Sequence, residues 1–207
     1  MEDTHEETLT TERLHLRAFV TDDAAEVQRL VGDARIAATT ARIPHPYEDG
    51  MAEAWIATHA AGRESGRELV WAVTGEADGA LLGAVGLRIE AAHARGTLGY
   101  WIGVPYWGRG FATEATRAVL GVAFERLALH RVQAEHLACN PASGCVMRKI
   151  GLRHEGTLRD HVRHGEGFDD MERYGLLRGD RERDSSSADD GRPTPTTWTA
   201  TPDPLQG

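Results

Sequence analysis

Gly99-Tyr-Trp-Ile-Gly-Val-Pro-Tyr-Trp-Gly-Arg-Gly-Phe-Ala-Thr-Glu-Ala115 reads as the end of a strand, a glycine turn and the opening of a helix. Gly108 and Gly110 let backbone approach a ligand closely, and the first helical turn leaves its amides unpaired at the positive end of the helix dipole. The spacing therefore predicts an anion site suited to a phosphate or pyrophosphate. Working outward, the preceding strand is expected over 96–102 and the helix over 112–127. A further strand follows over 132–137, then a short helix over 142–150 that Gly151 stops.

The rest of the chain falls into place around this unit. Leu14-His15-Leu16-Arg17-Ala18-Phe19 alternates apolar and polar residues, as a half-buried strand does. Thr21 is expected to cap a helix carrying Asp22 and Asp23 in its first turn, with Ala25, Val27, Leu30 and Val31 as its apolar face. A second helix is expected over 48–61. Two apolar runs, 69–74 and 80–88, joined by Gly75-Glu-Ala-Asp-Gly79, form a hairpin signal. Strand-like runs also lie near 152–159 and 169–177. Hairpins combined with a single crossover require a mixed sheet, so the fold class is α/β (α+β).

Composition narrows the function. The chain has 207 residues, 41% hydrophobic and 27% charged, which suits one domain with tails. Formal charge is -9, but Glu2, Asp3, Glu6 and Glu7 crowd into an acidic tail over 1–10. Residues 180–207 hold six acids against three arginines, and the body over 11–179 is left near -2. A near-neutral body argues against nucleic acid and membrane partners. The Thr/Pro/Asp-rich stretch over 180–207, with Trp198 inside it, is expected to be disordered. Two cysteines cannot build a disulfide scaffold, and neither a signal peptide nor a long apolar span is visible, so a cytoplasmic setting is expected.

Three nucleotide-binding readings compete for the glycine turn. A Walker A loop needs Gly-Lys-Ser/Thr, and the lysine is missing. A Rossmann fingerprint needs a third small residue where Thr113 stands. The third reading is an acyl-coenzyme A loop: Trp107-Gly-Arg-Gly-Phe-Ala112 resembles the Gln/Arg-x-x-Gly-x-Gly/Ala turn of the GNAT N-acetyltransferase superfamily, departing at Trp107. His130-Arg-Val-Gln-Ala-Glu-His-Leu-Ala-Cys-Asn-Pro-Ala-Ser143 and Lys149-Ile-Gly-Leu-Arg-His-Glu-Gly156 resemble that superfamily's next strand, Asn-x-x-Ser helix and glycine turn. Thr11-Glu-Arg-Leu-His-Leu-Arg17, Ile43-Pro-His-Pro-Tyr47 and Leu98-Gly-Tyr-Trp-Ile-Gly103 extend the resemblance across 11–179. Within the superfamily the chain is most similar to ribosomal-protein-alanine N-acetyltransferases.

The resemblance implies a V-splayed sheet, acetyl-CoA as cosubstrate and no metal. It implies that Trp101, Ile102 and Gly103 bind the pantetheine arm through backbone, and that Gly108, Arg109, Gly110, Phe111, Ala112 and Thr113 hold the pyrophosphate. Asn140 would bond the pantetheine arm, and Ser143 would donate to the leaving thiolate. Many members carry a glutamate on the strand that here reads Gly96-Thr-Leu-Gly-Tyr-Trp, where Thr97 stands; Glu90 and His93 are then the nearest candidate bases. Cys139 is read as an inert strand-end cysteine and His161-Val-Arg-His164 as a solvated loop rather than a metal site. The aromatic group of Tyr100, Trp101, Tyr106 and Trp107 is read as core packing and pocket lining.

The resemblance implies that the acceptor is an amine. A site without a strand carboxylate suits an α-amine, so a protein N-terminus is expected. A small-molecule amine such as an antibiotic, polyamine or metabolite, and a catalytically inactive acyl-CoA-binding module, stay open as alternatives, as do monomer and homodimer.

Overall fold

The computed structural model describes residues 8–187. Eight strands form one sheet in the order β1-β2-β3-β4-β5-β6-β8-β7. They are β1 (Leu9–Thr10), β2 (Leu14–Arg17), β3 (Glu68–Gly75), β4 (Leu81–Glu90), β5 (Arg95–Ile102), β6 (Arg131–Leu137), β7 (Arg153–His164) and β8 (Gly167–Leu177). Among the described strands only β5 and β6 run parallel, which is what one crossover helix among hairpins demands. The helices are α1 (Ala24–Val31), α2 (Ala34–Ala37), α3 (Met51–Glu64), α4 (Phe111–Gly121), α5 (Pro141–Lys149) and α6 (Arg178–Ser187).

Alternation along the strands sorts the core into two layers. Trp71, Val73, Val85, Leu87 and Leu98 face α4, meeting Ala115 and Val119. Ala72, Ala84 and Trp101 face the other way, against Val27 and Leu30 of α1 and Ala52 and Ile56 of α3. This period of two on strands with helices on both faces is the expected signature of a sheet buried on each side.

Several expectations need correction. Regular structure starts before residue 11: Leu9 is fully buried and pairs with Leu16. Thr21 does not cap α1. Asp23 does the local work instead, accepting the Val20 amide at 2.9 Å and pairing with Arg17 at 2.7 Å. The long helix ends earlier as α-helix, at Gly121, and continues as a π-helical stretch over Val122–Arg126. Residues 161–164 lie in β7, not in a loop, because β7 and β8 stay paired to His164↔Gly167 at the hairpin tip.

The tail does not begin at 180. Asp180 is buried, pairs with Arg183 at 2.5 Å and lies 3.5 Å from Arg153, and Arg181 reaches the Leu120 carbonyl at 3.0 Å, so α6 continues to Ser187. Trp198 and most of the two tails lie outside the described residues. No helix among the described residues is long and apolar enough to cross a membrane.

Candidate functional site

The site forms where the two parallel strands part. β5 and β6 stay in register from Arg95↔Arg131 to Leu98↔Ala134, and then β5 runs on to Ile102 without a partner on that side. On its other side β5 pairs with β4 throughout, with Gly103 donating to the Leu82 carbonyl at 2.8 Å. Antiparallel strands alternate in which residues bond to the neighbour. Trp101 therefore spends its backbone groups on β4 and Gly103 its amide, the Gly103 carbonyl accepting the Tyr106 amide at 2.9 Å, while Tyr100 and Ile102 present theirs to the cleft. Of the three residues Trp101, Ile102 and Gly103, only Ile102 offers a free edge, and Tyr100 offers a second. The missed signal is register, which a sequence does not carry.

Ile102 is not idle. Its carbonyl accepts the Trp107 indole N–H at 2.5 Å. The residue that departs from the usual acyl-CoA turn thus sits against the cleft edge, 43% exposed.

The turn itself has the geometry that its glycines predict. Gly108 and Gly110 adopt φ of 74° and 85°, a left-handed conformation that side chains resist. Gly110 caps α4 without a side chain, so nothing of its own covers the first amides of Phe111, Ala112 and Thr113. Arg109 and Arg13 both lie over the Phe111 ring, with guanidinium carbons 5.0 and 4.8 Å from its centre.

An open groove of about 500 Å³ adjoins this turn, lined by Glu12, Arg13, Gly110, Thr113, Glu114, Arg117 and Lys149. Arg13, Arg117 and Lys149 went unnoticed in the sequence because they come from three separate segments. Glu114 holds the first by accepting the Thr11 hydroxyl at 2.6 Å, the Arg13 amide at 2.9 Å and the Arg13 guanidinium at 2.6 Å, and Arg117 donates to the Lys149 carbonyl at 3.0 Å. Burial alone would raise the Glu114 pKa, but these bonds from Thr11 and Arg13 hold it below the ordinary range.

Across the cleft, α5 brings Asn140 and Ser143 to the splayed strands. Pro141 at the first helical position and Asn140 as cap start this helix, and Asn140 Oδ1 accepts the Ser143 amide at 3.2 Å. Asn140 Nδ2 donates to the Thr39 carbonyl at 2.9 Å, so its side chain is engaged within the protein at both ends. Cys139 Sγ faces the Ala38 carbonyl at 3.8 Å and His164 Nε2 the Ala37 carbonyl at 3.0 Å. Three successive carbonyls at the C-terminal end of α2 are thereby tied to the β6–α5 corner and the β7–β8 hairpin. His164 Nδ1 also lies 2.6 Å from Asp169. Both ring nitrogens face acceptors, and the Ala37 carbonyl, then Asp169, raise its pKa against burial. Burial, then Asp169, pushes the Cys139 thiol up, away from nucleophilic thiolate.

Glu90 and His93 are elsewhere. Both lie at the β4–β5 turn, where Glu90 pairs with Arg95 at 2.5 Å. From Arg95 to Ile102 is seven residues, roughly 23 Å along a strand, so neither reaches the cleft. The Arg95 hydrogen bond also depresses the Glu90 pKa, the wrong direction for a base. Adjacency in sequence misled because a strand carries consecutive residues away from its ends. Among the described residues no group of three metal-ligating side chains converges.

A splayed parallel pair, an unpaired strand edge and a glycine-opened helix beside a cationic groove are together what an acyl-CoA needs. Residues 13–153 match the family described as the acetyltransferase (GNAT) domain. The chain belongs to the GNAT acetyltransferase family. Over 102 residues it is 33% identical to "Putative ribosomal N-acetyltransferase YdaF" of Bacillus subtilis (strain 168), a match spanning 49% of this chain and 56% of that relative's length. Solved acetyltransferase structures with different acceptors share this fold. RimL, a ribosomal L7/L12 α-N-protein acetyltransferase in complex with coenzyme A, superposes with a TM-score of 0.76 at 16% identity, covering 83% of this chain and 98% of RimL. A spermidine N-acetyltransferase SpeG chimera from Vibrio cholerae and hSSAT gives 0.69 at 22% identity, covering 80% and 96%. One GNAT scaffold thus serves a protein terminus in one relative and a polyamine in another, so the acceptor is set by side chains rather than by fold.

Proposed function

We propose that the protein transfers the acetyl group of acetyl-CoA to the N-terminal α-amine of a protein, with a ribosomal protein the favoured class. The observation that carries this is the make-up of β5, whose stretch Gly96-Thr-Leu-Gly-Tyr-Trp-Ile102 brings no carboxylate to the cleft. Acetyl transfer requires a neutral amine. An α-amine with pKa near 7.7 to 8.0 is already roughly a tenth to a quarter neutral at about pH 7.2, whereas a lysine amine near 10.4 is about a thousandth neutral. A cleft without a strand carboxylate suits the acceptor that needs least deprotonation. The ribosomal acceptors named for YdaF and RimL support the same reading.

In this reading the pyrophosphate lies on the amides of Phe111, Ala112 and Thr113, with Gly108 and Gly110 permitting the approach and Arg109 and the Arg13–Arg117–Lys149 groove neutralising charge. The pantetheine arm pairs with the free edge at Tyr100 and Ile102. The amine nitrogen attacks the thioester carbonyl, the C–S bond breaks, and the Ser143 hydroxyl donates to the sulfur as its negative charge develops.

Thiol release from acetyl-CoA should be measured with a panel of N-terminal peptides, polyamines and aminoglycosides. Turnover is expected with peptides. Turnover of polyamines or aminoglycosides with no peptide active would overturn the acceptor and favour a SpeG-like small-molecule role. No thiol release with any amine, despite acetyl-CoA binding, would mark a binding module.

A further inference from the structure

The strongest unassigned feature of the cleft is a pair of hydroxyls that crosses it. Tyr100 comes from the free edge of β5 and Ser143 from the first turn of α5, and their oxygens lie 2.7 Å apart. The two elements belong to opposite arms of the V, so this contact spans the gap that the parting strands open. The Tyr100 hydroxyl is also within donating distance of the Ser143 carbonyl at 3.2 Å, a longer contact that competes with the closer Oγ for the phenol's single proton. We propose that Tyr100 is a positioning residue for the acetyl transfer: its hydroxyl donates to Ser143 Oγ and so leaves the serine proton pointing at the sulfur of the thioester. This rests on Ser143 being the donor to the thiolate, as set out under the proposed function.

A serine hydroxyl has one proton and can rotate it toward any acceptor. In an empty cleft nothing fixes that choice. A phenol that donates to Oγ occupies one lone pair there, so the serine proton must turn elsewhere, and a hydroxyl that accepts a hydrogen bond becomes a better donor itself. Two further contacts immobilise the serine backbone, since both the side chain and the carbonyl of Asn140 accept its amide. Burial pushes the Tyr100 phenol up to about 12, outweighing a smaller downward pull from Ser143, so the phenol keeps its proton at any pH where an amine acceptor is assayed. No net proton leaves Tyr100: the amine loses one to solvent, the sulfur gains the serine's, and solvent restores the serine.

The test uses the full chain and whichever amine the wild type acetylates fastest, with hydroxylamine as a small neutral nucleophile in parallel. Tyr100→Phe, which keeps the ring in place, is expected to lower kcat about tenfold or more, with the acetyl-CoA KM within about twofold. Ser143→Ala should match it, and the double variant should fall no further than Ser143→Ala alone, because the two groups act as one unit. Wild-type kcat in Tyr100→Phe, or losses that multiply in the double variant, would overturn the proposal. A purely structural tyrosine would lower Tm and raise KM instead, which also overturns it. Should Tyr100→Phe not fold, 3-fluorotyrosine at position 100 keeps the hydroxyl and strengthens it as a donor: kcat is expected to rise, and an unchanged kcat refutes the coupling. If polyamines but no peptides turn over, the α-amine reading falls and the tyrosine test proceeds on the polyamine. If nothing turns over, both fall.

Discussion

The Trp107 indole donates to the Ile102 carbonyl at 2.5 Å, so the turn that opens α4 also closes one acceptor on the strand edge proposed for the pantetheine arm. The contact joins residues five apart, and it exists because the turn from Gly103 through Trp107 folds back on the strand end.

Trp107→Phe should therefore free that carbonyl. A net hydrogen bond contributes about 0.5–1.5 kcal/mol, and removing the competing donor should lower the acetyl-CoA KM by about two- to tenfold. Calorimetric titration with coenzyme A checks this directly. A Kd that stays put or rises would show that the donor does not use Ile102.

Gly110→Val addresses the turn proposed to hold the pyrophosphate. At φ 85° a side chain costs about 1–2 kcal/mol of backbone strain, and a β-branched one would stand beside the amides offered to phosphate, 3.4 Å from Arg13 at its Cβ. The donor KM should rise tenfold or more in folded protein, with a lower Tm by thermal melt. An unchanged KM would remove the pyrophosphate from this turn.

Asn140 distinguishes a ligand from a strut. Its side chain accepts the Ser143 amide and donates to Thr39, so Asn140→Ala should cost about 0.5–2 kcal/mol as a lost cap and should lower kcat by loosening Ser143. Steady-state kinetics should show kcat falling more than KM rises. The reverse pattern would restore Asn140 to the pantetheine arm.

His59 gives the pH dependence of stability. It packs among Phe19 and Trp55, both ring nitrogens are buried without a partner, and burial, then Arg63, lowers its pKa to about 4. The unfolded histidine titrates near 6.5, so between about 4 and 6.5 the unfolded state binds the extra proton. Stability from this group is full above about 6.5 and declines as pH falls toward 4. Urea midpoints at pH 5 and 7 should differ less in His59→Phe than in wild type, and an equal difference in both would place the acid sensitivity elsewhere.

The sequence by itself determined most of the elements and the glycine turn that opens α4. Alternation in Leu14-His-Leu-Arg17, the glycine hairpin at 75–79 and the Gly108–Gly110 opening of α4 are local rules, in which neighbours fix backbone conformation and the spacing shows it. What the tertiary structure decided is which residues meet. Register alone turned Tyr100 and Ile102 toward the cleft and Trp101 toward β4, because a shift of one residue along a strand reverses its face. Strand length carried Glu90 and His93 to the far end of the sheet. Tyr100 and Ser143 lie 43 residues apart and Thr11 and Glu114 lie 103 apart. Such pairs leave no periodic trace, because each side chain obeys its own local pattern and only the folded sheet brings the two together.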